Sequence, residues 1–134
     1  MTAPRIASIA LLVRDYDEAV AWYRDALGFA LLEDTDMGGG KRWVRIGQEG
    51  RGFSLLLARA ADERQRAAVG DQHGGRVGLF LHTDDFARDH ARLAAAGAVL
   101  EEAPRHEAYG TVVVFRDLYG NRWDLIGPAA AGAA

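Results

Sequence analysis

The sequence of 134 residues contains no cysteine, which excludes disulfide bridges, thiolate metal sites and cysteine nucleophiles. Long apolar runs are also missing. Arg14 closes the amino-terminal segment MTAPRIASIALLVRD, which predicts neither a signal peptide nor a membrane span. Basic residues are not in excess, because 16 Lys and Arg stand against 19 Asp and Glu, a formal charge of −3. A chain without excess positive charge is not expected to bind nucleic acid or an anionic membrane. We expect a cytoplasmic protein.

What the sequence does contain is a repeat. The segment LLVRDYDEAVAWYRDALG, residues 11–28, is echoed by FLHTDDFARDHARLAAAG, residues 80–97. In each copy a short apolar strand leads to an aspartate that can cap a helix, which is Asp15 in the first copy and Asp84 or Asp85 in the second. A glycine suited to the end of a helix closes each copy. The repeat therefore predicts two modules of similar structure.

Strand patterns follow each predicted helix. They are FALLED, KRWVRIG and FSLLLAR after the first, and AVLEEA, GTVVVFRD and NRWDLIG after the second. Each half is thus predicted to be βαβββ, at about residues 5–58 and 76–127, with a connector at about 59–75 that contains a short helix. A sheet covered by a helix on one face keeps its other face free. We expect two such half-barrels to enclose one cavity within a single α+β domain.

The segments LLVRDYDEAVAWYRDALGF, LHTDDFARDHARLAAAGA and YGTVVVFRDLYGNRWDL resemble the vicinal oxygen chelate superfamily, which includes glyoxalases, bleomycin resistance proteins and extradiol dioxygenases. FRDLYGNRWDL is similar to that family's Phe-x-Asp-Pro-x-Gly-Asn-x-x-Glu-Leu ending, with Leu118 in place of proline and Asp124 in place of glutamate. The resemblance implies the paired βαβββ fold. It does not select a reaction, because the family contains lyases, epimerases, dioxygenases and drug-binding proteins.

The resemblance also implies four metal-ligand positions, a histidine on the first strand and a glutamate on the last strand of each half. Alignment of SIALLVRD with GLFLHTDD places Ser8 and Gly78 at the two histidine positions. Asp124 keeps a carboxylate in the second half, whereas the equivalent position in the first half falls within residues 54–56 of the apolar FSLLLA. A lone carboxylate does not hold a divalent ion against water. We therefore expect no metal and no other cofactor, with a relocated divalent metal site as the alternative.

Strand alternation predicts which side chains line the cavity. Val44, Ile46, Trp123 and Leu125 are the natural core residues of their strands, so that their neighbours point the other way. The predicted lining is mostly apolar with a few fixed polar groups, as in small-molecule sites. The residues expected to contact a ligand are Trp43, Arg45, Phe80, His82, Val114 and Asp124.

Several of these residues have alternative interpretations. Trp43 contacts a ligand or fills an interface between subunits. Asp124 binds a ligand or forms an ion pair with Arg45, since a lone buried carboxylate is costly. His82 is a half-solvated residue at the rim of the cavity, a ligand contact or, with Asp124, part of a relocated metal site.

Three functions remain open at this point. The first is a metal-free protein that sequesters an aromatic or cationic small molecule, and the resemblance implies a homodimer whose subunits both shape the site. The second is a metal-dependent lyase or dioxygenase that uses Asp124 with His82 or His106. The third is an assembly module whose cavity is filled by its own side chains.

Overall fold

The computed structural model describes residues 3–129, which form two compact units that divide between Val69 and Gly70. No helix within that range is long and apolar enough to cross a membrane. Each unit contains one sheet with a main helix packed against it.

The first unit follows the βαβββ order and ends in a short helix. Its sheet has the strand order β1-β4-β3-β2, in which β1 and β4 are parallel and the other neighbours are antiparallel. The elements are β1 (Ser8–Val13), α1 (Tyr16–Leu27), β2 (Ala30–Gly38), β3 (Lys41–Gly47), β4 (Ser54–Arg59) and α2 (Glu63–Ala68).

The second unit repeats this topology with one additional strand. The strand order is β5-β9-β8-β6, with β7 also paired to β8 and with β5 and β9 parallel. The elements are β5 (Val77–His82), α3 (Phe86–Ala95), β6 (Val99–Leu100), β7 (Arg105–Glu107), β8 (Gly110–Arg116) and β9 (Arg122–Gly127). Two sheets of related topology, each carrying a helix, confirm the predicted α+β fold class.

The extra strand arises where a single strand was expected at AVLEEA. Only Val99 and Leu100 pair with β8 there, and the chain then bends through residues 101–104 before β7 rejoins the opposite end of β8. Within the bend, the Glu102 carboxylate accepts a hydrogen bond from the backbone N–H of Val114 at 3.1 Å. A side chain therefore satisfies a strand donor that the interrupted strand leaves open.

The predicted helix caps are present in both units. Asp15 accepts a hydrogen bond from the backbone N–H of Glu18, and Asp85 accepts one from that of Arg88. Such bonds satisfy amide groups that have no partner within the helix. Gly28 ends α1 with φ 71°, a left-handed conformation that glycine adopts without steric cost.

The core of each unit lies between the sheet and its helix. Alternate strand residues point towards that helix and are buried, among them Leu11, Val44, Ile46 and Leu57 in the first unit and Val113, Phe115, Trp123 and Leu125 in the second. The residues between them lie on the opposite side of the sheet. We call these surfaces the first helix-free face, with Ser8, Ala10, Leu12, Trp43, Arg45, Ser54 and Leu56, and the second helix-free face, with Gly78, Phe80, His82, Val112, Val114, Asp124 and Ile126.

The DLYGN segment is a turn built around the buried carboxylate of Asp117. One oxygen accepts hydrogen bonds from the backbone N–H groups of Tyr119, Gly120 and Asn121 at 3.0–3.1 Å. The other oxygen accepts from the Asn121 amide and from the indole N–H of Trp123, both at 3.0 Å. This part of the family motif thus has a structural role, joining β8 to β9.

Candidate functional site

Trp43 and Arg45 lie two residues apart on β3 and share the first helix-free face. Trp43 is 39% exposed, which is high for a large aromatic side chain. The two residues line an open groove of about 590 Å³ together with Ser8, Ser54 and Phe53. Trp43 also borders a neighbouring groove of about 640 Å³ beside Leu56. These volumes match those of sites that take drug-sized ligands.

The Arg45 guanidinium is held in place by two neighbours on the same sheet. Its Nε donates to the Glu33 carboxylate at 2.7 Å, and one terminal nitrogen donates to the Ser54 hydroxyl at 3.1 Å. Glu33 lies directly opposite Arg45 across the β2–β3 hairpin, where opposite charges stabilise a pair of strands. Both side chains of the ion pair are only partly exposed. The arginine is therefore a fixed hydrogen-bond donor at the edge of the groove.

The second helix-free face brings three of the predicted site residues together. Phe80, Asp124 and Val114 are register partners on β5, β9 and β8, so that their side chains stand side by side. The exposures differ, since Phe80 is 61% exposed whereas Val114 is buried in the middle of the sheet. His82 is an exposed residue at the end of β5, in the adjacent row with Ile126 and Val112.

Asp124 is in an electrostatically unfavourable position. Its Oδ1 atom is shielded from solvent and has no hydrogen-bond partner among the described residues. Burial raises the pKa of Asp124 above its ordinary value, because the charged form is less well hydrated at this shielded position than it is in water. The charge of Arg105 opposes this pKa shift, that of Glu102 reinforces it, and that of Arg122 opposes it. The carboxylate is thus under-solvated and unpaired in its own unit.

The four positions at which the family would place metal ligands do not fit a metal site. Phe80 pairs with Asp124 just as Ala10 pairs with Leu56, so that Leu56 is the first-half equivalent of Asp124. Of the four positions, Leu56 and Gly78 offer no donor atom. Ser8 offers a hydroxyl group and Asp124 a carboxylate, and these two groups alone are not a ligand set that transition metals favour. Elsewhere in residues 3–129, no three His, Asp or Glu side chains form a group that could hold a metal ion.

The space beside Gly78 is filled from the loop that precedes β5. A Cβ atom added to Gly78 would overlap the imidazole ring of His73. The same loop is tied to the sheet, because Arg122 donates a hydrogen bond to the Gly75 carbonyl at 3.0 Å. His73 therefore occupies the volume into which a side chain at position 78 would extend.

This packing predicts that Gly78→Ala lowers the free energy of unfolding by about 1–3 kcal/mol, the usual cost of forcing extra atoms into a packed site. In a His73→Ala background the same substitution is expected to cost less than about 0.5 kcal/mol, because the overlap is gone. Urea unfolding of the four proteins measures this coupling. An equal cost in both backgrounds would show that the His73 ring does not fill this space.

Sequence reasoning missed Glu33, His73 and Glu102 as neighbours of the candidate residues. The pairing of Glu33 with Arg45 could have been predicted, because each residue lies six positions from Gly39, where the hairpin turns. His73 and Glu102 come from irregular segments, for which strand periodicity gives no direction. The six predicted residues fall into two groups, Trp43 with Arg45 and Phe80 with His82, Val114 and Asp124. Their contact with a ligand stays a prediction.

Comparison with known proteins places these features in a family. The sequence profile of the Glyoxalase/Bleomycin resistance protein/Dioxygenase superfamily matches residues 5–125. An uncharacterized protein of Shewanella frigidimarina (strain NCIMB 400) is 51% identical over 123 residues, which cover 90% of this chain and 91% of the relative.

Solved structures agree with this assignment. UcmS2 is 29% identical with a TM-score of 0.78, over 93% of this chain and 98% of UcmS2. TnmS3, described as an antibiotic binding protein from Streptomyces sp. CB03234, is 29% identical with a TM-score of 0.76, over 96% of this chain and 99% of TnmS3. With its repeated sheet-and-helix units and a profile match over almost its whole length, the chain belongs to the Glyoxalase/Bleomycin resistance protein/Dioxygenase superfamily.

Proposed function

We propose that this protein binds an aromatic small molecule without converting it and without a metal ion. The ligand contacts lie on the two helix-free faces. In this proposal the protein acts as a cytoplasmic homodimer. The contact residues are Trp43, Arg45, Phe80, His82, Val114 and Asp124.

The observation that carries the proposal is the groove on the first helix-free face. Trp43 offers a large, partly exposed ring for stacking, and its position two residues from Arg45 places a fixed donor beside that ring. The ion pair with Glu33 and the bond to Ser54 hold the guanidinium before any ligand arrives. Little conformational freedom is then lost when a ligand binds, which favours affinity.

Two further observations support a binding role over catalysis by a metal. Three of the four positions that would ligate a metal in the family lack a suitable side chain, and His73 fills the space at one of them. TnmS3, which shares 29% of its residues with this chain over nearly its full length, is described as an antibiotic binding protein. The description of TnmS3 supports the proposal that this chain also binds a small molecule.

The proposal is tested by tryptophan fluorescence. The purified protein is titrated with a panel of planar aromatic antibiotics and metabolites, and at least one is expected to give a saturable change at one ligand per chain. Trp22→Phe is the matched control, because Trp22 lies on α1 beside Tyr23 and away from the groove. The ligand-induced change should persist in that variant. The absence of a saturable response across the panel would contradict the proposal.

A further inference from the structure

We propose that the second helix-free face recognises a positively charged nitrogen on an organic small molecule, held between the Asp124 carboxylate and the Phe80 ring. The inference rests on the proposed function, because it names the chemical class that this face selects. Nothing in the groove beside Trp43 requires the ligand to carry a charge.

The first argument is that the Asp124 carboxylate is partly shielded from water and lacks a hydrogen-bond donor in the part of the chain that the structure describes. One of its oxygens is shielded from solvent, and no hydrogen bond or ion pair engages the carboxylate within residues 3–129. A half-buried carboxylate in this state is costly unless a donor or a positive charge is supplied. A cation bound at the exposed side of Asp124 would supply that charge.

The second argument is the balance of charges around Asp124. Two arginines, Arg105 and Arg122, act on the charge of Asp124, but each is already paired. Arg105 binds the carboxylates of Glu102 and Glu107 at 2.7 and 2.8 Å. Arg116 and Arg122 both bind Glu101, at 2.8 and 2.9 Å. Three arginines and three glutamates therefore neutralise one another, and the negative charge of Asp124 is left over.

The third argument is the aromatic neighbour. Phe80 stands directly opposite Asp124 on the adjacent strand and exposes most of its side chain. A ring face next to a carboxylate attracts organic ammonium groups through both cation–π and charge interactions. An inorganic divalent ion needs several oxygen or nitrogen ligands, and no group of three His, Asp or Glu side chains that could hold one includes Asp124 within residues 3–129. The pair therefore favours an organic cation over a metal ion.

The experiment compares two probes of nearly the same shape at pH 8, the cation N-methylquinolinium and neutral quinoline, by isothermal titration calorimetry. Wild-type protein is expected to bind the cation about tenfold more tightly, equivalent to about 1.4 kcal/mol. Asp124→Asn should remove this preference, chiefly by weakening binding of the cation, and Phe80→Leu should reduce it. Asp84→Asn, which removes a carboxylate with 94% of its side chain exposed, controls for bulk charge and should keep the preference.

Each outcome separates this inference from the proposed function. Equal binding of both probes to wild-type protein, or an unchanged preference in Asp124→Asn, overturns the inference and leaves the proposed function standing. Displacement of the cation by stoichiometric Zn²⁺ also overturns it. Failure of both probes, when other aromatic compounds bind, rejects the inference alone. Thermal unfolding checks that Asp124→Asn is folded, and we expect this variant to be no less stable than the wild type, because an unpaired charge has been removed.

Discussion

Replacing Asp117 with alanine is expected to lower the free energy of unfolding by about 3–5 kcal/mol, a large share of the stability of a domain this size. The substitution leaves several buried donors without an acceptor, including the Tyr119 and Asn121 backbone amides and the Trp123 indole. Each buried donor that loses its partner costs about 1–3 kcal/mol. Urea unfolding followed by circular dichroism measures the loss.

Two variants make this prediction specific. Asp117→Asn keeps one acceptor oxygen but turns an amide nitrogen towards donors, so an intermediate loss of about 1–3 kcal/mol is expected. Asp84→Ala removes an exposed aspartate from the same unit, and a change within about 0.5 kcal/mol is expected. If Asp117→Ala were no less stable than Asp84→Ala, the turn would not depend on this carboxylate.

Replacing Trp43 with alanine is expected to weaken binding of any ligand found in the fluorescence panel by about 30-fold or more. The figure corresponds to about 2 kcal/mol, the usual loss when a central aromatic contact is truncated. The fold should persist, because Trp43 lies on the helix-free face and not in the core between sheet and helix; the loss of its partly buried ring should cost about 1–2 kcal/mol of stability. Calorimetry gives the affinity and thermal unfolding gives the stability.

Trp43→Phe and Trp22→Phe are the matched variants for this prediction. Trp43→Phe keeps an aromatic face and should retain part of the affinity. Trp22→Phe changes a tryptophan on α1 and should bind as the wild type does. Equal affinity in Trp43→Ala and wild type would place the ligand elsewhere, and unfolding of Trp43→Ala would give the tryptophan a structural role.

The sequence was sufficient for the repeated fold because the determining signals are local and periodic. Aspartate caps, a terminal glycine and alternating strand residues act within a few positions of each other, and Asp15, Asp85 and Gly28 are found as expected. The alternation of Val44 with Trp43 also placed core and helix-free residues on the correct sides of β3. Such local patterns predict a helix or strand without information about distant parts of the chain.

The environment of the candidate site was less accessible to sequence reasoning. The His73 ring lies over Gly78 because of how an irregular loop folds back, and no periodic pattern predicts that path. Glu102 reaches Arg105 and the Val114 amide because AVLEEA breaks after two strand residues. Such contacts depend on packing between distant or irregular segments, which sequence patterns do not encode directly.

The most direct test of the central claim is a calorimetric titration with a ligand from the panel, before and after removal of metals by a chelator and again after Zn²⁺, Ni²⁺ or Fe²⁺ is returned. We predict the same affinity, within about twofold, in all three states, because the proposed contacts are organic side chains. Binding that disappears with the chelator and returns only with the metal would contradict the account.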